Sequence, residues 1–480
     1  MAHRKGRLED RLDEEAAKYT SSLLFDREIL EAVVYVNAAH LKALARAGVI
    51  SWSECEEAVN HLADMLRIDI DYTRYELEDI HMIVEDYLAS KMPKAAAMLS
   101  LGKSRNDAVV AAVKIRLRER LISMAEALLG LVLTLLKRAS EEADTLFPTY
   151  THLQRAAPAT FGFITHSYAI RLMKLLPRIK HTYSLCQDSP LGSAAVAGTS
   201  VELDVSYEAE LLGFSKVCEN ALEATASREF IIDALCLCAE TALVISCLAE
   251  ELVLFSSEEF QLLELPDSLS STSSIMPQKK NPVVAEVART KAAELLGLFS
   301  SAYLMAARQP SGYNLDLQQI TPKLWKALDE VEETLAIMAK AVEGVKVNRE
   351  RAALACSPPT AVVELANYLT LKWGIPFRQA HNAAAAVSRL MAENRLNEES
   401  LKETLERYNI PGGAVSMEQL RELLEPGKVV RRYATPQSAN PDKIREKAGV
   451  MSYEAERELR WFKEEGRRIG EKLRNLLGSS

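Results

Sequence analysis

From Phe214 to Leu265 the chain holds neither glycine nor proline, and within that span Ile231 to Leu254, IIDALCLCAETALVISCLAEELVL, is apolar on nearly every face. A helix of that kind is either buried on all sides or crosses a membrane. Asp233, Glu240, Glu250 and Glu251 argue against the membrane, since an acid near a bilayer centre costs about 2.5 to 3.5 kcal/mol on insertion scales. The stretch therefore predicts a bundle of long helices, with this one buried by more than one chain.

Other segments agree. Apolar residues recur at three and four from Glu28 to Gly48, from Glu76 to Ala89, from Ala108 to Leu146, from Val283 to Gly297 and from Leu324 to Val342. Aromatic residues make up 6% and only 19 of 480 residues are glycine, which favours helices over a β-rich fold. An all-α protein in three parts is expected: residues 1–107, a central long-helix bundle over 108–356, and a smaller helical domain over 357–480. The last boundary is drawn at Ser357-Pro358-Pro359, beyond which proline and glycine return around Pro411-Gly412-Gly413, Pro426-Gly427 and Pro436 to Pro441.

A net charge of -9 speaks against non-specific nucleic-acid binding, which rests on neutralising phosphates. The seven cysteines are odd in number and scattered, so neither a disulfide framework nor a zinc site is indicated. Met1 to Asp10 is charged and lacks the apolar core of a signal peptide, which predicts a cytoplasmic location.

Chemistry concentrates in Ser270 to Pro282, SSTSSIMPQKKNP, too polar and too broken for a helix interior or a central strand. Read as a surface loop, it offers the hydroxyls of Ser273 and Ser274, the cations of Lys279 and Lys280, and the amides of Gln278 and Asn281. That set suits the capture of a carboxylate beside a proton transfer. No glycine-rich phosphate loop, metal-ligand cluster or nucleophile elbow competes with it.

SSIMPQKKNP resembles the flexible signature loop of the fumarase/aspartase superfamily, and its QKKNP ending resembles the argininosuccinate lyase branch. Further segments are similar to that family. YTSSLLFDR supplies Ser22 and Asp26 at the positions that meet the amino-acid end of the substrate. EDIHM brings His81 in support. LSLGKSRND matches at Ser104, Arg105 and Asn106 but departs at Ser100, Leu101 and Lys103. YTHLQRAAP carries Thr151 for a substrate carboxylate and His152 for proton transfer, with Thr149 where the family has glycine. NALEATASREF matches at Arg228. GYNLDLQQITPK matches at Tyr313 and Gln318, while Thr321 stands where the family places a lysine; Lys323, two residues on, is the candidate substitute.

This resemblance implies a cofactor-free elimination of argininosuccinate to arginine and fumarate by a homotetramer, with three chains building each site. It implies Ser273 as the base, Lys279, Asn281, Thr151, Ser104 and Asn106 as stabilisers of the developing charge, and His152 in the proton network. His152 is also the alternative base, because an imidazole titrates near neutrality. A related lyase acting on another succinyl-amine, such as adenylosuccinate, and a non-catalytic crystallin-like protein on the same scaffold are the competing readings.

Overall fold

The computed structural model describes residues 12–478; Met1 to Asp10, on which the signal-peptide reading rests, lies outside the described residues. Helix α1 (Leu30–Arg46) stops where its apolar pattern stops, with Gly48 left-handed (φ 74°) just past its end. Helix α2 (Ile80–Lys91) begins later than the spacing from Glu76 implies. Asp79 caps it by accepting the Met82 N–H.

Helix α3 (Arg105–Glu141) starts on a capping box in which Ser104 and Asp107 serve each other's backbone. Its 37 residues, at 1.5 Å each, run about 55 Å. The sequence predicts helix as far as Leu146, but α3 ends at Glu141. Leu146 and Pro148 instead belong to a hairpin of β1 (Leu146–Thr151) and β2 (Gln154–Thr160), which leads into α4 (Phe161–Met173). Between Pro148 and Tyr150 the register shifts, and the Thr149 hydroxyl fills the gap by donating to the Ala157 carbonyl (2.8 Å) and accepting the Ala157 N–H (3.1 Å).

The glycine-free stretch forms α5 (Glu229–Phe255). A short ribbon follows, β3 (Ser271–Thr272) paired with β4 (Lys280–Asn281), and then α6 (Val283–Ala306) and α7 (Thr321–Gly344). Helices α3, α5, α6 and α7 pack lengthwise, closing on residues such as Leu128, Leu235, Ile245, Leu295 and Leu335. Within one protomer only half of the most apolar window of α5 is buried. Leu243 on α5 and Val287, Leu296, Tyr303 and Leu304 on α6 remain exposed.

Residues 357–480 contribute to two cores. A second core gathers residues from Ala361 to Val429, including Leu365, Val387, Leu405 and Val429. Helix α8 (Pro441–Leu476) leaves it and packs along α3, inserting Ile444, Phe462, Ile469 and Leu473 into the first core. Charged residues cover the rest of α8, outside this buried stripe.

Candidate active site

The N-terminus of α3, the turn before α1 and the segment before α7 enclose a cavity of about 280 Å³. Ser22, Asp26, Arg105, Asn106, Arg228, Tyr313, Gln318 and Thr321 all line it, against an apolar wall of Phe25, Val109, Val113 and Phe230. The Ser22 hydroxyl donates to Asp26 Oδ2 at 2.5 Å, and the Ile80 N–H reaches the same oxygen at 3.3 Å. Asp26 makes no cap bond to the helix that follows it. Burial pushes its carboxyl up to about 7, even though the Ser22 bond pulls the other way.

Asp79, also on the cavity wall, is likewise raised by burial to about 6, against the pull of the nearby Arg105 guanidinium. Sequence reading passed over Asp79. Its signal was the acid just before the apolar run of α2, which reads equally well as a plain cap. Arg105 is committed to acids of its own chain: Nε lies 3.3 Å from Asp79 Oδ2 and Nη1 3.4 Å from Glu85 Oε1. Asn106 donates to the Ala195 carbonyl and Gln318 to the Thr20 carbonyl. Burial raises the Tyr313 phenol.

Three expected residues stand back from this cavity. Ser104 is occupied as the cap of α3, His81 is buried behind the wall, and Lys323 is not among the lining residues. His81 Nε2 meets no hydrogen-bond partner among the described residues, and burial, reinforced by Arg105 and Lys103, holds the ring well below its ordinary pKa.

The remaining candidates occupy two other places. Thr151 and His152 lie exposed at the hairpin tip, where Thr151 faces Gln154 across a two-residue turn. His152 and Leu153 both adopt left-handed backbone, φ 55° and 56°, in a turn that ordinarily selects asparagine and glycine. Strain of this sort, about 1 kcal/mol or more per residue, is retained where position matters.

Ser273 to Lys279 forms the tip of the β3–β4 ribbon. There the Ser273 oxygen accepts the N–H groups of Ile275 (3.2 Å) and Met276 (3.1 Å). The two lysines differ. Lys280 is paired with Glu264 (2.9 Å) and Asp267 (2.6 Å), which hold its ammonium above the ordinary value, whereas Lys279 is exposed and makes no ion pair among the described residues. Asn281 sits in β4, half-buried.

None of Thr151, His152, Ser273, Lys279 or Asn281 lines the cavity at α3. One protomer thus carries polar clusters at the hairpin tip and on the ribbon that are not part of the cavity at α3. Among the described residues no group of three or more His, Cys, Asp or Glu side chains is arranged to hold a metal ion.

The match of residues 6–297 to the family model described as Lyase makes the chain a lyase, and its fold agrees. The structure superposes on an EDDS lyase variant with bound fumarate (TM-score 0.84, 23% identity, 99% of this chain and 97% of that one) and on a class II fumarase from Schistosoma mansoni (TM-score 0.72, 18% identity, 85% and 91%). Residues 360–431 match the family model described as Argininosuccinate lyase C-terminal. Argininosuccinate lyase from Methanocaldococcus jannaschii is 34% identical over 98% of this chain and 97% of its own length; that from Methanothermobacter thermautotrophicus is 34% identical over 93% and 97%. The chain belongs to the argininosuccinate lyase family.

Proposed function

We infer that the protein is a carbon-nitrogen lyase that reversibly splits argininosuccinate into arginine and fumarate. The observation that carries this reading is the cavity at α3, where two buried carboxyl groups and a guanidinium share one wall with neutral donors. That arrangement fits the zwitterionic end of an amino acid, with the ammonium toward Asp26 and Asp79 and neutral contacts from Ser22, Tyr313 and Gln318.

Elimination removes a proton from the carbon beside a carboxylate. The electron pair forms the new double bond as the carbon-nitrogen bond breaks, and the departing nitrogen takes a proton. Ser273 is the proposed base. Its oxygen already accepts two backbone N–H groups, a setting that lowers the cost of an alkoxide. Lys279, Asn281, Thr151, Asn106 and Ser104 steady the dianionic carboxylate that develops. His152 serves the proton network or the leaving nitrogen. No electrons pass to an acceptor, so the reaction calls on no cofactor.

Because the clusters stand apart in one chain, we propose a homotetramer whose sites are shared between chains. The exposed apolar residues of α5 and α6 support that reading, since such a face is a natural helix-to-helix interface. Seven free cysteines fit a reducing, cytoplasmic setting. Three parts are proposed, 1–107, 108–356 and 357–480, the last with α8 packed along the bundle.

The test is fumarate release, followed by ultraviolet absorbance, with argininosuccinate and adenylosuccinate offered separately. Release from argininosuccinate alone is expected. Release from adenylosuccinate alone would overturn the substrate, and silence with both would favour the crystallin-like reading.

A further inference from the structure

The cavity at α3 contains two guanidinium groups, and they are in different states. Arg105 is balanced by Asp79 and Glu85. Arg228 is buried, with 5% of its surface exposed, and meets no carboxylate among the described residues. One of its terminal nitrogens donates to the carbonyls of Thr225 (3.1 Å) and Ser227 (2.8 Å). These bonds fix the head against the turn before α5 and leave its other N–H donors without a partner among the described residues.

A buried cation held only by neutral carbonyls is costly unless an anion arrives to meet it. Burial pushes Arg228 down to about 10, against the opposing pulls of Tyr313 and Glu229. The other cationic candidate, Lys323, does not line the cavity, and Thr321, which does, is neutral. Asp26 and Asp79 line the same cavity.

We propose that Arg228 is the anchor for the α-carboxylate at the amino-acid end of the substrate, and so the residue that restricts the amine product to an α-amino acid. The inference rests on the lyase reading above. A planar guanidinium pre-fixed by two carbonyls can present parallel N–H groups to a carboxylate, whereas an amine lacking that carboxylate would leave the cation buried and unmet.

The reverse reaction tests this. Fumarate is offered with arginine or with agmatine, the same guanidine without the α-carboxylate, and kcat/KM is measured for each. The parent protein is expected to favour arginine by about 100-fold or more, the scale of a lost charged hydrogen-bonded pair. Arg228→Gln should shrink that preference to about tenfold or less, mainly through a higher KM for arginine, and adding Thr321→Lys should restore part of it by returning a cation to the same cavity. Equal losses with both amines would make Arg228 a structural residue and overturn the proposal. Should Arg228→Gln not fold, the parent alone still decides, because equal use of arginine and agmatine contradicts an α-carboxylate anchor while leaving the lyase reading standing. A parent that consumes fumarate with neither amine overturns the lyase reading and this inference together.

Discussion

At the residue scale, the assignment most exposed to test is Ser273. A free serine hydroxyl is a poor base, and its two backbone N–H partners are what make the role chemically reasonable. Ser273→Ala should lower kcat by about a thousandfold or more while circular dichroism and substrate binding stay close to those of the parent. Near-normal turnover would transfer the role to His152. Asp26 yields a prediction in pH. Burial raises its carboxyl to about 7 from 3.8, so the folded chain keeps a proton that the unfolded chain has already released. This group therefore makes the fold lose stability as pH rises from about 4 to about 7, with the loss complete above 7. At roughly 1.4 kcal/mol per pKa unit the loss is at most about 4 kcal/mol. Urea denaturation of Asp26→Asn against the parent should show the variant gaining relative stability across that window. A difference that does not change with pH would contradict the burial argument. Residue chemistry was legible wherever a motif had fixed order, as in SSIMPQKKNP. Partners brought in by folding were not legible: nothing in LSLGKSRND announces that Arg105 will be held by Asp79 and Glu85.

Among the elements, the β1–β2 hairpin matters most, because it carries His152 on a strained turn. The hairpin is set against α3 by Gly162, where an added Cβ would stand 2.4 Å from the Ala139 carbonyl oxygen and 2.8 Å from Ala143 Cα, both backbone atoms that cannot swing aside. Gly162→Ala should cost about 1 to 3 kcal/mol of stability, read by chemical denaturation, and should lower activity by displacing the hairpin. A variant as stable and as active as the parent would show that α3 and α4 can part without consequence. The helices were legible because their apolar spacing persists over many turns, and Gly48 marked its stop correctly. Leu146 to Thr160 was not. Its two prolines sit opposite one another in an antiparallel pair with a bulge, so the segment lacks the alternation by which strands are usually recognised.

For the whole molecule, the apolar stretch that predicts a bundle explains more than the fold of one chain. Half of α5 is covered within a protomer, and the exposed apolar residues of α5 and α6 leave a face for other copies. The return of α8 to the first core was hidden because a helix with a strongly charged face looks solvated until its buried stripe meets α3. The central claim is that the three polar clusters of one chain act in different sites, each completed by its neighbours. Mixing two inactive variants tests it most directly. Ser273→Ala and Asp26→Ala, denatured together at equal amounts and refolded, should recover about a quarter of the parent's fumarate release, because each of the two required clusters then has an even chance of being intact. A mixture as inactive as either variant alone would mean that the clusters serve one chain, and would contradict the shared site.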